Sequence, residues 1–279
     1  MSAQYGDTVT FKLTATATNY DGDTKITEYV AHDLPGQGYS NLSVSKVEVN
    51  GVELALSAYE TGVSAGETRV RIPWTNTSTG AFLYTSGGTT SVPIVVTLTA
   101  TVTDASDGRT NKGWFTWTGK TDDDDSEEVT VSSYKITIDK YDSQTNTKLQ
   151  NTEFVLKNSE NKFYNITSGV VSWEDNQSDA HVFITNSNGA AEITGLENGT
   201  YTVMETKAPD GYVLATNGTS VTINNANGTA SISNIKGDET PLPETGGAGT
   251  IILITFGMIV VIVTGVLLVT NKRMSKEDI

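Results

Sequence analysis

"EEVTVSSYKITIDKY", residues 127–141, alternates apolar and polar side chains at period two and is rich in Val, Ile, Thr and Tyr. That pattern belongs to a half-buried β-strand. The alternation recurs in "TVTFKLTATAT" (8–18), "LSVSKVEVNGVEL" (42–54), "VPIVVTLTATVT" (92–103), "TYTVMET" (200–206), "SVTINN" (220–225) and "TASISNI" (229–235). Between these runs lie turn-forming clusters such as "NYDGD", "NSNG", "ENGT" and "ANGT", whose Gly, Asn and Asp supply the backbone conformations of tight turns. No stretch ahead of residue 250 carries a helical period. The fold class read from this is all-β, with two tandem Ig-like β-sandwich domains before the C-terminal segment.

Composition narrows the function. A formal net charge of −15 argues against nucleic acid and anionic lipid as partners. Cysteine is absent, so neither disulfides nor thiolate chemistry is on offer, and there are only two histidines. The acidic run "TDDDDSEE" (121–128) lacks the spacing, the central Gly and the distal Glu of a calcium loop. It reads as a solvated linker between domains, and neither a metal nor a cofactor is expected.

The C-terminus is specific. "IILITFGMIVVIVTGVLLVT", Ile251–Thr270, holds no charge, and twenty residues of helix span about 30 Å, the thickness of a bilayer's hydrocarbon core. Lys272 and Arg273 follow directly, so the tail is expected in the cytoplasm and everything before the span outside. Just ahead lie Leu242, Pro243, Glu244, Thr245 and Gly246, "LPETG". This resembles the sorting signal of Gram-positive surface proteins, an LPxTG pentapeptide followed by an apolar stretch and a basic tail. The resemblance implies that a sortase cleaves between Thr245 and Gly246 and passes the Thr245 acyl group to an amine of peptidoglycan or of a neighbouring subunit. Pro243 holds Leu242 extended, and Gly246 and Gly247 let a cleft approach the scissile carbonyl. Membrane contact through Ile251–Thr270 is then transient. "MSAQYGDTVT" has neither a basic n-region nor an apolar core, so the chain is expected either to be a fragment of a longer exported precursor or to have its true start upstream.

Residues 134–237 carry three landmarks in order: "YKITIDKYDSQTNTKLQNTEFVL", "GLENGTYTVMETKAPDGY" and "ISNIKG". They resemble the collagen-adhesin B-type domain, a prealbumin-like sandwich of Gram-positive pilins and adhesins. In that family a first-strand Lys bonds covalently to a last-strand Asn beside a buried Glu. The resemblance implies an isopeptide link between Lys140 and Asn234, with Glu205 as the catalytic proton shuttle. The chemistry also stands without the family. Burial favours the neutral amine of a lysine and the protonated form of a carboxylic acid. An acid beside both groups can polarise the amide and move a proton to departing ammonia.

"YGDTVTFKLTATATNYDGDTKITEYVAHDLPGQGYS" (5–40) and "GRTNKGWFTWTG" (108–119) are similar to the fimbrial isopeptide-formation domain. The similarity implies Asp33 as catalytic acid and Asn111 as amide. The reactive lysine of that family precedes the "GDTVTF" strand, where this chain has only Met1–Tyr5; Lys12, the nearest candidate, lies within the strand. The first domain is therefore expected to be truncated and to lack its bond. His32 and Asp33 are read as a strand-end pair with structural roles, and "WFTW" (114–117) as core and rim packing.

The expected organisation is a first sandwich over 1–132, a B-type sandwich over 133–238, a sorting linker over 239–249, a transmembrane helix over 250–270 and a tail over 271–279. Two functions compete. One is a structural subunit of a sortase-assembled pilus anchored to the cell wall. The other is a surface adhesin for a host or surface ligand, with these domains as its stalk. An enzyme acting on external substrates has no convergent motif to support it. No "YPK" acceptor motif for polymerisation occurs.

Overall fold

A computed structural model of the chain describes residues 1–86, 91–103, 109–123 and 125–237. The sorting pentapeptide, the apolar span and the basic tail lie outside the described residues.

Two antiparallel sheets make the first sandwich. One holds β1 (Thr8–Thr18), β9 (Ser91–Val102), β5 (Tyr39–Val49) and β6 (Val52–Glu53) in the order β1-β9-β5-β6. The other runs β11-β10-β4-β8-β7, from β11 (Glu127–Val131), β10 (Arg109–Trp117), β4 (Glu28–Pro35), β8 (Glu67–Pro73) and β7 (Glu60–Ser64). A small hairpin of β2 (Tyr20–Asp21) and β3 (Thr24–Lys25) caps one end. The period-two reading of β1 holds residue by residue: Val9, Phe11 and Leu13 are buried while Thr8, Thr10 and Lys12 are exposed. The inward rows of the two sheets meet in one core that includes Leu13, Val47, Ile94 and Leu98 from the first sheet and Tyr29, Ile72 and Phe115 from the second.

The second sandwich packs a three-stranded sheet on a six-stranded one. The smaller has the order β17-β12-β20, with β12 (Tyr134–Asp142), β17 (Ala190–Leu196) and β20 (Gly228–Asn234). The larger runs β15-β14-β13-β18-β19 through β13 (Glu153–Lys157), β14 (Phe163–Thr167), β15 (Val170–Glu174), β18 (Gly199–Lys207) and β19 (Thr219–Ile223), with β16 (Phe183–Ile184) also on β13. Their core joins Ile136, Ile138 and Ile232 to Phe154, Leu156, Tyr201 and Val203. First and last strands, β12 and β20, are parallel neighbours.

Residues 1–235 form one compact unit. The N-terminal segment ties the sandwiches together: Ala3 N donates to Ser132 O at 3.0 Å, Gly6 N to Val102 O at 2.8 Å, and Val171 N to Tyr5 O at 2.9 Å. A third apolar cluster at this joint contains Tyr5, Phe11 and Val131, with Ile166 and Val171 packed against it.

Two expectations are corrected. The acidic run is not a linker between domains: Glu127 and Glu128 already belong to β11, which pairs with β10, so the run closes a loop inside the first sandwich. Lys112 pairs with Asp123 at 2.5 Å and Lys120 with Asp125, which neutralises part of the run locally. The stretch 127–141 is two strands rather than one. It breaks at Ser132–Ser133, where Ser133 Oγ, buried, donates to Ala3 O at 2.5 Å.

Gly189 has φ +68, and a Cβ there would overlap the Lys140 carbonyl oxygen, which already accepts from Leu149 N at 3.0 Å. Gly169 has φ +77 with nothing within 4 Å. Gly169→Ala is expected to cost about 1 kcal/mol from backbone strain alone. Gly189→Ala should cost clearly more, because a backbone carbonyl must also move. Urea denaturation of the two variants checks the difference.

Candidate functional site

Three inward rows end in polar side chains. On β12 the buried positions run Ile136, Ile138, Lys140; on β18 they run Tyr201, Val203, Glu205; on β20 they run Ala230, Ile232, Asn234. Each polar group therefore continues an apolar stripe into the core. Lys140 is wholly buried, and Glu205 and Asn234 nearly so. The parallel register of β12 and β20 sets Asp142 opposite Asn234, which brings Lys140, one inward position back, alongside the amide.

The three side chains close on one another. Lys140 Nζ donates to Glu205 Oε2 at 2.7 Å and contacts Asn234 Oδ1. Asn234 Nδ2 donates to Glu205 Oε1 at 2.6 Å. One carboxyl thus bridges the amine and the amide nitrogen, one oxygen to each. Burial holds the Lys140 amine below the ordinary lysine range, against the opposing pull of the Glu205 hydrogen bond. The Phe154 ring lies 5.7 Å from Nζ and helps to exclude water.

Sequence reasoning missed a supporting residue. Asp142 ends β12, buried, and accepts from Gln144 N and Thr145 N, both at 2.8 Å, and from Tyr212 OH at 2.9 Å. Those donors hold its carboxyl down near pKa 2, the two backbone N–H groups contributing most. Tyr212 closes the "KAPDGY" stretch, so that loop is fastened to the strand opposite Asn234. The readable signal was an Asp at the next inward position after Lys140.

The first sandwich holds a second acid beside an amide. Asp33 and Asn111 sit on neighbouring strands β4 and β10, both buried, with Asn111 Nδ2 donating to Asp33 Oδ1 at 2.8 Å. Desolvation pushes the Asp33 carboxyl up to about 6, against the Asn111 hydrogen bond. Lys12 is exposed and turned out of the sandwich. His32 faces the opposite side of β4, stacked at 4.8 Å on Trp114 and bonded to Glu67 and Thr116, so it forms no dyad with Asp33. Phe115 enters the core, while Trp117 packs at its margin. Among the described residues no cluster suited to a metal ion occurs.

Residues 134–237 match the SpaA prealbumin-like fold domain, and residues 236–276 match the LPXTG cell wall anchor motif. The crystal structure of the group B streptococcus pilus 2b backbone protein is similar at 30% identity and TM-score 0.76, covering 86% of this chain and 97% of that one. The chain belongs to the Gram-positive pilus subunits. The pilus backbone RrgB of Streptococcus pneumoniae shares the fold with this pilin at 12% identity and TM-score 0.64, over 84% of the pilin and 94% of that chain. BcpA, the major pilin subunit of Bacillus cereus, does so at 18% and 0.55, over 85% and 67%. No curated protein matches the pilin. The anchor motif makes it a cell-surface protein attached to the cell wall.

Because the Asp33 pKa is raised on folding, its protonated form stabilises the pilin. That contribution is full below the ordinary value of 3.8 and is lost as pH rises through about 6. Relative to Asp33→Asn, the wild type should lose roughly 3 kcal/mol of unfolding free energy between about pH 4 and 7. Urea titrations of both proteins across that range measure it, and parallel curves would refute it.

Proposed function

We propose that the pilin is a shaft or base subunit whose second sandwich, residues 133–238, is locked by a self-formed isopeptide bond between Lys140 and Asn234. The observation that carries this reading is the single buried carboxyl of Glu205, in contact with both the attacking amine and the departing amide nitrogen. Transfer of one proton from Lys140 Nζ to Glu205 Oε2 leaves a neutral amine against the Asn234 side-chain amide. The amine attacks Asn234 Cγ, a new C–N bond forms, the carboxyl returns its proton to Nδ2, and it then takes up the second proton of the attacking nitrogen. The Cγ–Nδ2 bond then breaks and ammonia leaves, so lysine and asparagine become one secondary amide. Folding supplies the effective concentration. Escape of ammonia makes the step irreversible.

The bond closes a loop between positions 94 apart, and the chain-entropy treatment of cross-links assigns such a loop roughly 4–5 kcal/mol. It ties the first strand of the sandwich to the last, so tension between its ends is carried by covalent bonds. Self-directed chemistry of this kind needs no external substrate. The likeness to backbone pilins favours the shaft reading over an adhesin stalk. Sortase is the processing partner, acting at Thr245, with peptidoglycan or a neighbouring subunit supplying the amine.

The full chain, purified in detergent, should be lighter than its sequence mass by one ammonia, and its digest should contain Lys140 and Asn234 in one peptide. Glu205→Ala and Asn234→Ala should each keep the full mass and unfold more easily by a few kcal/mol. An unmodified wild-type mass on folded protein would exclude the bond.

Sorting is tested separately. Wall digests of expressing cells should release a pilin fragment ending at Thr245. Recovery only of chains still carrying Ile279, in the membrane fraction, would contradict it.

A further inference from the structure

In the five-stranded sheet of the first sandwich, Tyr29, Ala31 and Asp33 of β4 turn inward, so His32 between them faces outward. Across the ladder His32 pairs with Trp114 on β10 and with Arg69 on β8. Thr116 stands two positions beyond Trp114 on one side, and Glu67 two positions before Arg69 on the other. Diagonal neighbours of that kind lie about 7–8 Å apart, within reach of an imidazole. Strand pairing therefore sets a hydroxyl, an imidazole and a carboxylate on one diagonal across three strands.

The side chains make that diagonal continuous. His32 Nδ1 pairs with Glu67 Oε1, and its Nε2 stands 2.7 Å from Thr116 Oγ1. An ionised carboxylate can only accept, so in the neutral ring Nδ1 carries the proton and the Nε2 lone pair faces the Thr116 hydroxyl. The carboxylate and the ring are also held from elsewhere. Arg69 donates twice to Glu67, from Nε to Oε1 at 3.0 Å and from Nη2 to Oε2 at 2.8 Å. That guanidinium first, and His32 after it, keep the Glu67 carboxyl below the ordinary carboxylate range against the pull of burial. The Trp114 ring lies parallel to the imidazole at 4.8 Å and fixes its plane. Water has little access, since the His32 and Glu67 side chains are 12% and 13% exposed and Thr116 is 9% exposed. A hydroxyl bonded to a base that a third group orients is the arrangement that makes a weak nucleophile reactive.

We propose that Thr116 is an activated nucleophile that accepts a small acyl group from an aryl ester. Thr116 Oγ1 attacks the ester carbonyl carbon while His32 Nε2 takes the hydroxyl proton. A C–O bond to Oγ1 forms, the bond from that carbon to the aryl oxygen breaks, and His32 hands the proton to the departing aryl oxide. The products are O-acyl-Thr116 and a phenol. Glu67 is a positioning residue. It acts through His32, fixing the tautomer and stabilising the imidazolium that forms during the transfer. Trp114 beside His32 supplies an aromatic surface for the aryl group, and the low exposure of Thr116 restricts the acyl group to a small one. The site lies on the opposite face of β4 from Asp33 and takes no part in the Lys140–Asn234 chemistry.

The test exposes the full chain in detergent micelles to 4-nitrophenyl acetate, follows release of 4-nitrophenolate by absorbance, and maps the acetyl group by digestion and mass spectrometry. The wild type should show a fast phase of one phenolate per chain and an acetyl group on Thr116. Neutral hydroxylamine should remove that ester while leaving acetyl amides on lysines untouched. Thr116→Val, which keeps the shape of the side chain, should abolish the fast phase. His32→Gln should slow it by about 100-fold or more, the usual contribution of a general base. Glu67→Gln should slow it as well, and Glu67→Asp, which keeps the charge, should recover part of the rate. Circular dichroism checks that each variant is folded. Acetyl groups found only on lysines or elsewhere than Thr116 would overturn the proposal. So would a fast phase that survives Thr116→Val or keeps its rate in His32→Gln, and an unchanged rate in Glu67→Gln would overturn the role given to Glu67.

Discussion

The carboxyl of Glu205 has to serve two donors at once, the Lys140 amine and the Asn234 amide, in a place where water does not intervene. A buried charge without a partner is heavily penalised, and breaking a buried pair by deleting one member costs about 3–5 kcal/mol. The second sandwich answers with position. Each of the three groups extends an apolar inward row by one step, so the β-strands that build the core also deliver the polar atoms. The Phe154 ring closes the pocket over Nζ, and the Gly189 carbonyl accepts from Lys140 N at 2.8 Å to hold the strand at that point. Asp142, fixed by two backbone donors and Tyr212, pins the end of β12 against β20. The geometry of the three groups is a property of strand packing rather than of a loop.

How legible this was depends on the physical range of each signal. Alternation is local, so the inward faces of β1, β12 and β20 could be read directly from "TVTFKLTATAT", "YKITIDKY" and "TASISNI", and with them the burial of Lys140 and Asn234. The pairing of strands is not local. Nothing within "EEVTVSSYKITIDKY" says that its first five residues close one sandwich and its last eight open another. The break at Ser132–Ser133 arises from contacts with Ala3, about 130 positions away. The acidic run misled for a related reason. A string of Asp reads as solvated chain, yet Glu127 and Glu128 lie on an edge strand where outward charge is tolerated and helps to deter pairing with other chains. Tyr212 was invisible as a contributor because its partner lies 70 positions upstream.

Topology links this packing to mechanics. In the second sandwich the first and last strands are parallel neighbours with seven residues in register. Pulling on the two ends shears that ladder along its length, and its hydrogen bonds share the load. The proposed link at Asn234, near the C-terminal end of β20, would fix the register and take over the load where β20 leaves the sheet. The joint ahead of it is also tight: residues 1–7 hydrogen-bond to both sandwiches, and Trp173 Nε1 donates to Gln4 Oε1 at 2.8 Å. Arg109, buried, reaches Ser133 Oγ at 3.1 Å and lies over the Tyr5 ring. A pilus subunit gains from such a joint, because slack between the sandwiches would let tension concentrate on the weaker ladder.

Each sandwich buries an acid hydrogen-bonded to an amide, and the two differ in what else meets the pair. In the second, β12 and β20 each bring a polar group to the side facing β18, and every side-chain oxygen of the three has a partner. In the first, β4 and β10 bring an acid and an amide together at 2.8 Å, and Asp33 Oδ2 and Asn111 Oδ1 meet no donor among the described residues. Had Asp33 and Asn111 served only to satisfy each other, apolar residues of similar volume would hold the site at less desolvation cost. The pair instead sets an acid that burial pushes up to about 6 beside an amide whose carbonyl oxygen meets no donor among the described residues.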